Sequence, residues 1–168
     1  MSSIPQPSAP VELEDVRAML HSVADPEIPV LSIMDLGIVR DLQLDGQEVV
    51  VHVSPTYTGC PATEMIEQMI VARLEANGVG RVTIKRVLSP PWTTAWLSEA
   101  GRQKLRKYGI APPERGAGKG SLLRQHIVHC PRCSSERTSR VSEFGSTPCK
   151  ASYKCDVCLE PFEYFKCI

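Results

Sequence analysis

The chain has 168 residues, 42% of them hydrophobic and 23% charged, with 19 basic against 19 acidic side chains. A neutral total excludes a polycationic nucleic-acid coat and a polybasic membrane binder, and no apolar run reaches the ~20 residues a membrane span needs. Seven cysteines fit poorly with a closed set of disulfides, so the expectation is a cytoplasmic chain whose thiols serve metal or thiol chemistry.

Residues 1–10 are polar and Pro-rich, without the pattern of a signal peptide, and are expected to form a disordered tail. Leu13, Val16, Leu20 and Val23 then recur at helical spacing. The Asp25-Pro-Glu-Ile-Pro29 turn should end that helix, because each proline disfavours helical geometry in the residue before it. Ile38–Leu44 and Glu48–Ser54 read as strands joined by the hairpin signal Asp45-Gly46, with Val49, Val51 and Val53 alternating onto one face. A second helix follows Pro55-Thr-Tyr-Thr-Gly-Cys-Pro61. Its stripe is Ala62, Met65 or Ile66, Met69 or Ile70, and Leu74, and Asn77-Gly78 ends it. Arg81–Leu88 is a third strand, and Ser98–Tyr108 a short basic helix. The order α-β-β-α-β predicts an α+β domain, a small mixed sheet with packed helices.

The neutral total conceals a segregation of charge. Residues 1–100 hold 6 basic and 13 acidic side chains, residues 101–125 hold 7 and 1, and residues 126–168 hold 6 and 5. Six of the seven cysteines lie at or beyond Cys130. Composition and charge therefore predict two domains, residues 11–110 and 126–168, around a Gly/Pro-rich basic linker at 111–125.

In the second domain Cys130-Pro-Arg-Cys133 and Cys155-Asp-Val-Cys158 form two C-x2-C pairs 21 residues apart. Four thiolates at that spacing converge tetrahedrally on Zn²⁺, each pair from a tight turn. A module of about 43 residues is too small to hold a core unaided, so a metal has a structural task there. The expectation is a small all-β zinc ribbon with structural zinc; an iron–sulfur cluster on the same ligands is the alternative. His126 and His129, beside the first pair, read as surface or supporting residues rather than ligands. Cys149 and Cys167 stand outside the quartet, as buried small hydrophobes, a transient thiol pair or extra ligands.

Cys60 stands alone in the acidic part. With Pro61 at the first helical position, the thiol would sit at the helix cap, where unpaired N–H groups and the helix dipole favour the thiolate. That predicts a reactive or metal-handling cysteine, against the plainer reading of a buried structural one. Asp25, Glu27 and Asp35 read either as ligands or acid–base groups, or as turn carboxylates bonded to local N–H groups. His52 is the nearest histidine that would act as a base toward Cys60. Gly116-Ala-Gly-Lys-Gly-Ser121 lacks the spacing and the preceding strand of a phosphate loop. The run Arg102, Lys104, Arg106, Lys107 reads as a solvated helix face or an acidic-surface dock, and Trp92 and Trp96 as packing or interface anchors.

Asp25-Pro-Glu-Ile-Pro29, Asp35-Leu-Gly37 and Ser54-Pro-Thr-Tyr-Thr-Gly-Cys-Pro61 resemble the small domain shared by cytosolic iron–sulfur targeting factors and the SufT proteins. Ser89-Pro-Pro-Trp-Thr-Thr-Ala-Trp96, Gly109-Ile-Ala-Pro-Pro113 and the Cys-rich tail ending Tyr164-Phe-Lys-Cys167 resemble the PaaD family, encoded with the bacterial phenylacetyl-CoA epoxidase of aerobic phenylacetate degradation. The resemblance implies a maturation role rather than an enzyme. The chain has no Glu-x-x-His pair for a di-iron site and no glycine-rich nucleotide fingerprint. It implies Cys60 as the reactive, cluster-handling thiol and Asp25 and Glu27 as the acidic motif. The implied task is assembly or insertion of an iron–sulfur cluster, or of iron, into the oxygenase or its reductase. Partners would be those subunits and the iron–sulfur assembly machinery, with no nucleic acid and no membrane.

A cluster takes four protein ligands, so Cys60 would hold one only transiently, with a partner's thiols, across a homodimer, or with Cys149 and Cys167 if the tail folds back. The alternatives are a non-catalytic scaffold holding the oxygenase components together, a thiol-dependent enzyme, and a zinc-ribbon nucleic-acid binder, whose strongly basic tail is missing here.

Overall fold

The computed structural model describes residues 11–46, 48–57, 59–114 and 127–166. The N-terminal tail, the glycine run 116–121, most of the expected linker, His126 and Cys167 lie outside the described residues. The element order is α1 (Leu13–His21), β1 (Val39–Asp45), β2 (Glu48–Val53), α2 (Thr63–Ala76), β3 (Arg81–Arg86), a single 3-10 turn (Thr94–Trp96), α3 (Glu99–Tyr108), β4 (Ile110–Ala111), β5 (Thr138–Ser142), β6 (Lys150–Cys155) and β7 (Pro161–Phe165). The architecture is α+β, as the periodicities predict.

The first sheet has the order β1-β2-β3, antiparallel across β1/β2 and parallel across β2/β3. Val49, Val51 and Val53 are buried together, and they meet Val16 and Leu20 of α1 and Ile66, Ile70 and Leu74 of α2 in one core. The apolar stripe of α2 thus resolves onto its isoleucines, while Met65 is exposed. β2 is the central strand of this sheet, with β1 and β3 at its edges.

Between α1 and β1 the chain makes a buried loop rather than a plain turn, with Ile28, Leu31, Ile33, Leu36 and Ile38 all at 2% exposure or less. Gly37 ends it at φ +68°, and a Cβ there would lie 2.5 Å from the Trp96 carbonyl oxygen, so only glycine fits. The turn is tied to α3. Asp35 accepts bonds from the Ser32 N–H and hydroxyl and from the Ser98 hydroxyl, and pairs with Lys104 at 2.6 Å. Against the cost of burial, those donors hold its carboxyl below the ordinary range.

α3 shows the solvated basic face expected of it at Lys104, Arg106 and Lys107 but departs from it at one residue. Arg102 is buried, its guanidinium donating to the carbonyls of Pro113 and Thr94. With Lys104 on Asp35, two of its four cations are spent on internal order.

The second sheet has the order β4-β7-β6-β5. β4 follows α3 directly, at Gly109 (φ +93°), and pairs in parallel with β7, Ile110 with Glu163 and Ala111 with Tyr164. Ala111, expected to open the linker, is therefore a buried strand residue. Alternation on β7 sends Phe162 and Tyr164 into a small cluster with Val128, Cys130 and Cys155. Phe165 faces the other way and joins the large core, as does Cys149. There the Phe165 ring lies edge-on to Trp92 at 6.1 Å, and the Trp92 indole N–H donates to the Leu36 carbonyl at 2.8 Å. Trp92 is thus a packing anchor, while Trp96 carries the Arg40 guanidinium 3.4 Å above its ring.

Candidate metal centre and thiol pocket

Two cysteine-bearing sites emerge. In the first, the donor atoms of Cys130, Cys133, Cys155 and Cys158 all lie within 4.8 Å of one another. The turns that aim them are alike: the residue after each second cysteine, Ser134 and Leu159, adopts a positive φ, 61° and 62°. Ser134 N–H closes the first turn on the Cys130 carbonyl at 2.9 Å. In the second, the N–H groups of Cys158 and Val157 both donate to Cys155 Sγ at 3.4 Å. The Cys158 N–H foremost, aided by that of Val157 and opposed by desolvation, holds the Cys155 thiol down to about 6. Four convergent sulfurs, one already disposed to ionise, fit Zn²⁺ as a structural ion. His129 is not among them; its Nε2 lies 3.4 Å from Glu114 Oε1.

The second site lies where the C-terminal sheet meets the large core. A cavity of about 20 Å³ is lined by Cys60, Cys149, Asp25 and Glu27, with walls that include Ile66 and Phe165. Cys60 is half-buried. Its position corrects the expected cap. The N-cap of α2 is Ala62, and the helix starts at Thr63. Cys60 occupies the preceding turn, its N–H donating to the Tyr57 carbonyl and its carbonyl accepting from Thr63 N–H, both at 3.2 Å. That three-residue spacing precedes the first four-residue helical bond, Ile66 N–H to the Ala62 carbonyl, so Pro61 lies in a lead-in turn rather than at the first helical position. Gly59 (φ +82°) stands open beside it, with nothing within 4 Å of where a Cβ would be.

Cys149 is buried, with its Sγ 3.5 Å from Glu27 Oε2 and 3.1 Å from the Thr147 hydroxyl. Burial above all, with the Glu27 carboxylate adding and the Thr147 bond opposing, pushes its thiol up to about 11. At neutral pH it is therefore an S–H that donates to Glu27. Tyr57 brings a hydroxyl that is buried with no hydrogen-bond partner. Its acidity is suppressed first by burial and then by Cys60, Glu27 and Cys149. His52 takes no part: Val53 faces the cavity, and alternation turns His52 toward Asp41, 3.8 Å away.

Asp25 plays the part of a turn carboxylate. Its Oδ1 accepts from the N–H groups of Glu27 (2.9 Å) and Ile28 (2.7 Å), which sets the turn that carries Glu27. Burial nonetheless raises its pKa from the ordinary 3.8, more than those bonds lower it. The folded state therefore favours the protonated acid, and the penalty is full above the raised value and fades as the pH falls toward 3.8. Asp25→Asn keeps an oxygen for both N–H groups and removes the penalty. It should melt no lower than the parent at pH ~7, with any gain vanishing on acidification in thermal scans. A lower melting temperature that is independent of pH would contradict this account.

Sequence reasoning named Cys60, Asp25 and Glu27, and held Cys149 as one of several options. It missed Tyr57, Phe165 and the buried Lys150, whose ammonium pairs with Glu163 at 3.2 Å beside this pocket. None of the three carries a periodic or spacing signal.

Comparison with known proteins matches these two parts separately. Residues 13–85 match the family model described as "Iron-sulfur cluster assembly protein", and residues 115–166 match "PaaD zinc beta ribbon domain". A Bacillus anthracis crystal structure of a domain of unknown function is 28% identical with a TM-score of 0.52, covering 55% of this chain and 89% of that one. A conserved hypothetical protein from Thermotoga maritima is 34% identical with a TM-score of 0.51, covering 58% and 97%. The "Fe-S protein maturation auxiliary factor" of Porphyromonas gingivalis is 35% identical over 95 residues, 55% of this chain and 89% of that one. Fold and site thus define an iron–sulfur assembly-type domain joined to a zinc ribbon.

A longer match runs through both parts. The Escherichia coli K12 protein named as the putative D component of 1,2-phenylacetyl-CoA epoxidase is 47% identical over 163 residues, 95% of this chain and 96% of that one. The chain belongs to the PaaD family of phenylacetyl-CoA epoxidase components.

Proposed function

We propose that this chain is a non-catalytic maturation factor of a phenylacetyl-CoA epoxidase system, which takes up iron or an iron–sulfur cluster at Cys60 and delivers it to the oxygenase or its reductase. On this reading it works in the cytoplasm, as an assembly-type domain over residues 11–110 and a zinc ribbon over 126–168. Its partners are the oxygenase and reductase subunits and the machinery that supplies the cargo. The observation that carries the reading is the meeting of Cys60, Cys149, Asp25 and Glu27 at one small cavity. A half-exposed thiol beside an open glycine, with incomplete local ligation, favours release, which a carrier needs and a resident redox centre avoids.

The test is Cys60→Ser in cells producing the full epoxidase system. Iron and iron–sulfur absorbance of the purified reductase and iron in the oxygenase are expected to fall about tenfold or more, the scale set by losing one group of a metal site. Zinc content and melting temperature of the variant should match the parent. A scaffold would tolerate the change, so normal loading of both clients would overturn the proposal.

A further inference from the structure

We infer that the pocket takes a single ferrous ion, held by the sulfurs of Cys60 and Cys149 and the carboxylate of Glu27. This rests on the cargo-handling reading above and narrows it.

Size is the first ground. The cavity measures about 20 Å³, whereas one water needs ~10–15 Å³. The enclosed space suits one ion. Chemistry is the second. Two sulfurs and one carboxylate from three separate segments face it, and Cys149 already hydrogen-bonds Glu27 at 3.5 Å. A metal would take the place of that S–H proton, releasing the two thiol protons to solvent, with no change of oxidation state. Two thiolates select borderline cations such as Fe²⁺, Co²⁺ or Zn²⁺ over Mg²⁺ and Ca²⁺.

Finally, among the described residues the only set of three or more donors already within 4.8 Å of one another is the ribbon quartet. The pocket donors face a common space without converging, so they bind after a side-chain adjustment and let go again. One site is shaped to keep its ion and the other to exchange it.

The experiment uses the full zinc-loaded chain under anaerobic conditions, titrated with Fe²⁺, and with Co²⁺ as a spectroscopic substitute. Zinc is counted throughout. One additional ion per chain should bind, with a thiolate-to-cobalt charge-transfer band and no sulfide. Cys60→Ser, Cys149→Ser and Glu27→Gln should each retain zinc and weaken that binding about tenfold or more. Wild-type affinity in zinc-retaining Cys149→Ser and Glu27→Gln would overturn the three-donor site. So would no ion beyond zinc, or a brown species with two irons and sulfide per chain. The client-loading assay with Cys60→Ser decides the parent reading separately, because it does not depend on which atoms beside Cys60 hold the cargo.

Discussion

Cys155→Ser is expected to remove zinc and to dismantle the thiol pocket along with the ribbon. Structural zinc contributes about 10–16 kcal/mol in isolated finger peptides at neutral pH, comparable with the ~5–15 kcal/mol total stability of a whole domain. The small cluster of Ala111, Val128, Cys130, Cys155, Phe162 and Tyr164 cannot replace that. The loss reaches the other core because Cys149, just before β6, and Phe165 of β7 pack into it. Trp92, 3% exposed and edge-on to Phe165, should redden in fluorescence as its neighbour withdraws, and Cys149 should become open to alkylation. A strong chelator should reproduce both changes in the parent. A zinc-free protein with unaltered tryptophan emission and a protected Cys149 would show that the ribbon holds the pocket without its metal.

Glu163→Gln should destabilise the chain by about 3 kcal/mol, the lower end of the range for stripping a buried ion pair of one partner. Lys150 is 6% exposed and Glu163 28%, so water softens the loss at the glutamate but not at the lysine left behind. The Ser146 N–H and hydroxyl also donate to Glu163, and together with Lys150 they hold its carboxyl below the ordinary 4.5 despite desolvation. A depressed folded-state pKa gives stability that is present above 4.5 and is lost as the pH falls through the depressed value. The gap between parent and variant in urea melts should therefore be constant from neutral pH to about 5 and narrow only below 4.5. Adding Lys150→Met should restore most of the loss, since it removes the stranded charge. A double variant no better than the single one would show that the effect lies in packing. Burial raises the pKa of both Asp25 and Cys149, and Lys150 offsets part of that rise from behind the pocket.

How much of this was legible in the sequence depends on how far apart the interacting residues lie. The ribbon quartet was fully readable, because two C-x2-C pairs encode their own turns and the metal requires their convergence. The order of α1 to β3 followed from period, and Val49, Val51 and Val53 fell on the buried face as expected. The α2 stripe left two choices at each step, and packing buried Ile66 and Ile70, leaving Met69 partly buried against the same core and Met65 exposed. Local rules failed where tertiary partners intervened. Pro61 reads as a first helical residue, yet the turn closed by Thr63 delays the helix. Arg102 reads as a surface cation, yet two carbonyls draw it inward, while Lys104 stays at the surface and reaches Asp35 from there. β4 is two residues long, too short for any pattern, and exists because β7 offers it an edge. The meeting of Cys149 with Cys60 and Glu27 had no local trace at all; the topology of the second sheet creates it.

That topology also dictates when the pocket comes into being. Translation proceeds from the N-terminus, and early segments fold as they emerge. Cys60 and its acidic turn therefore leave the ribosome long before Cys149 and Phe165 exist to cover them. A nascent chain stalled after β4 displays the Cys60 thiol in an unfinished surround, with the edge of β4 unpaired. Only when the last strand is made can Cys149 and Phe165 close the cavity over Cys60 and Glu27, so the pocket is completed in the final step of chain synthesis.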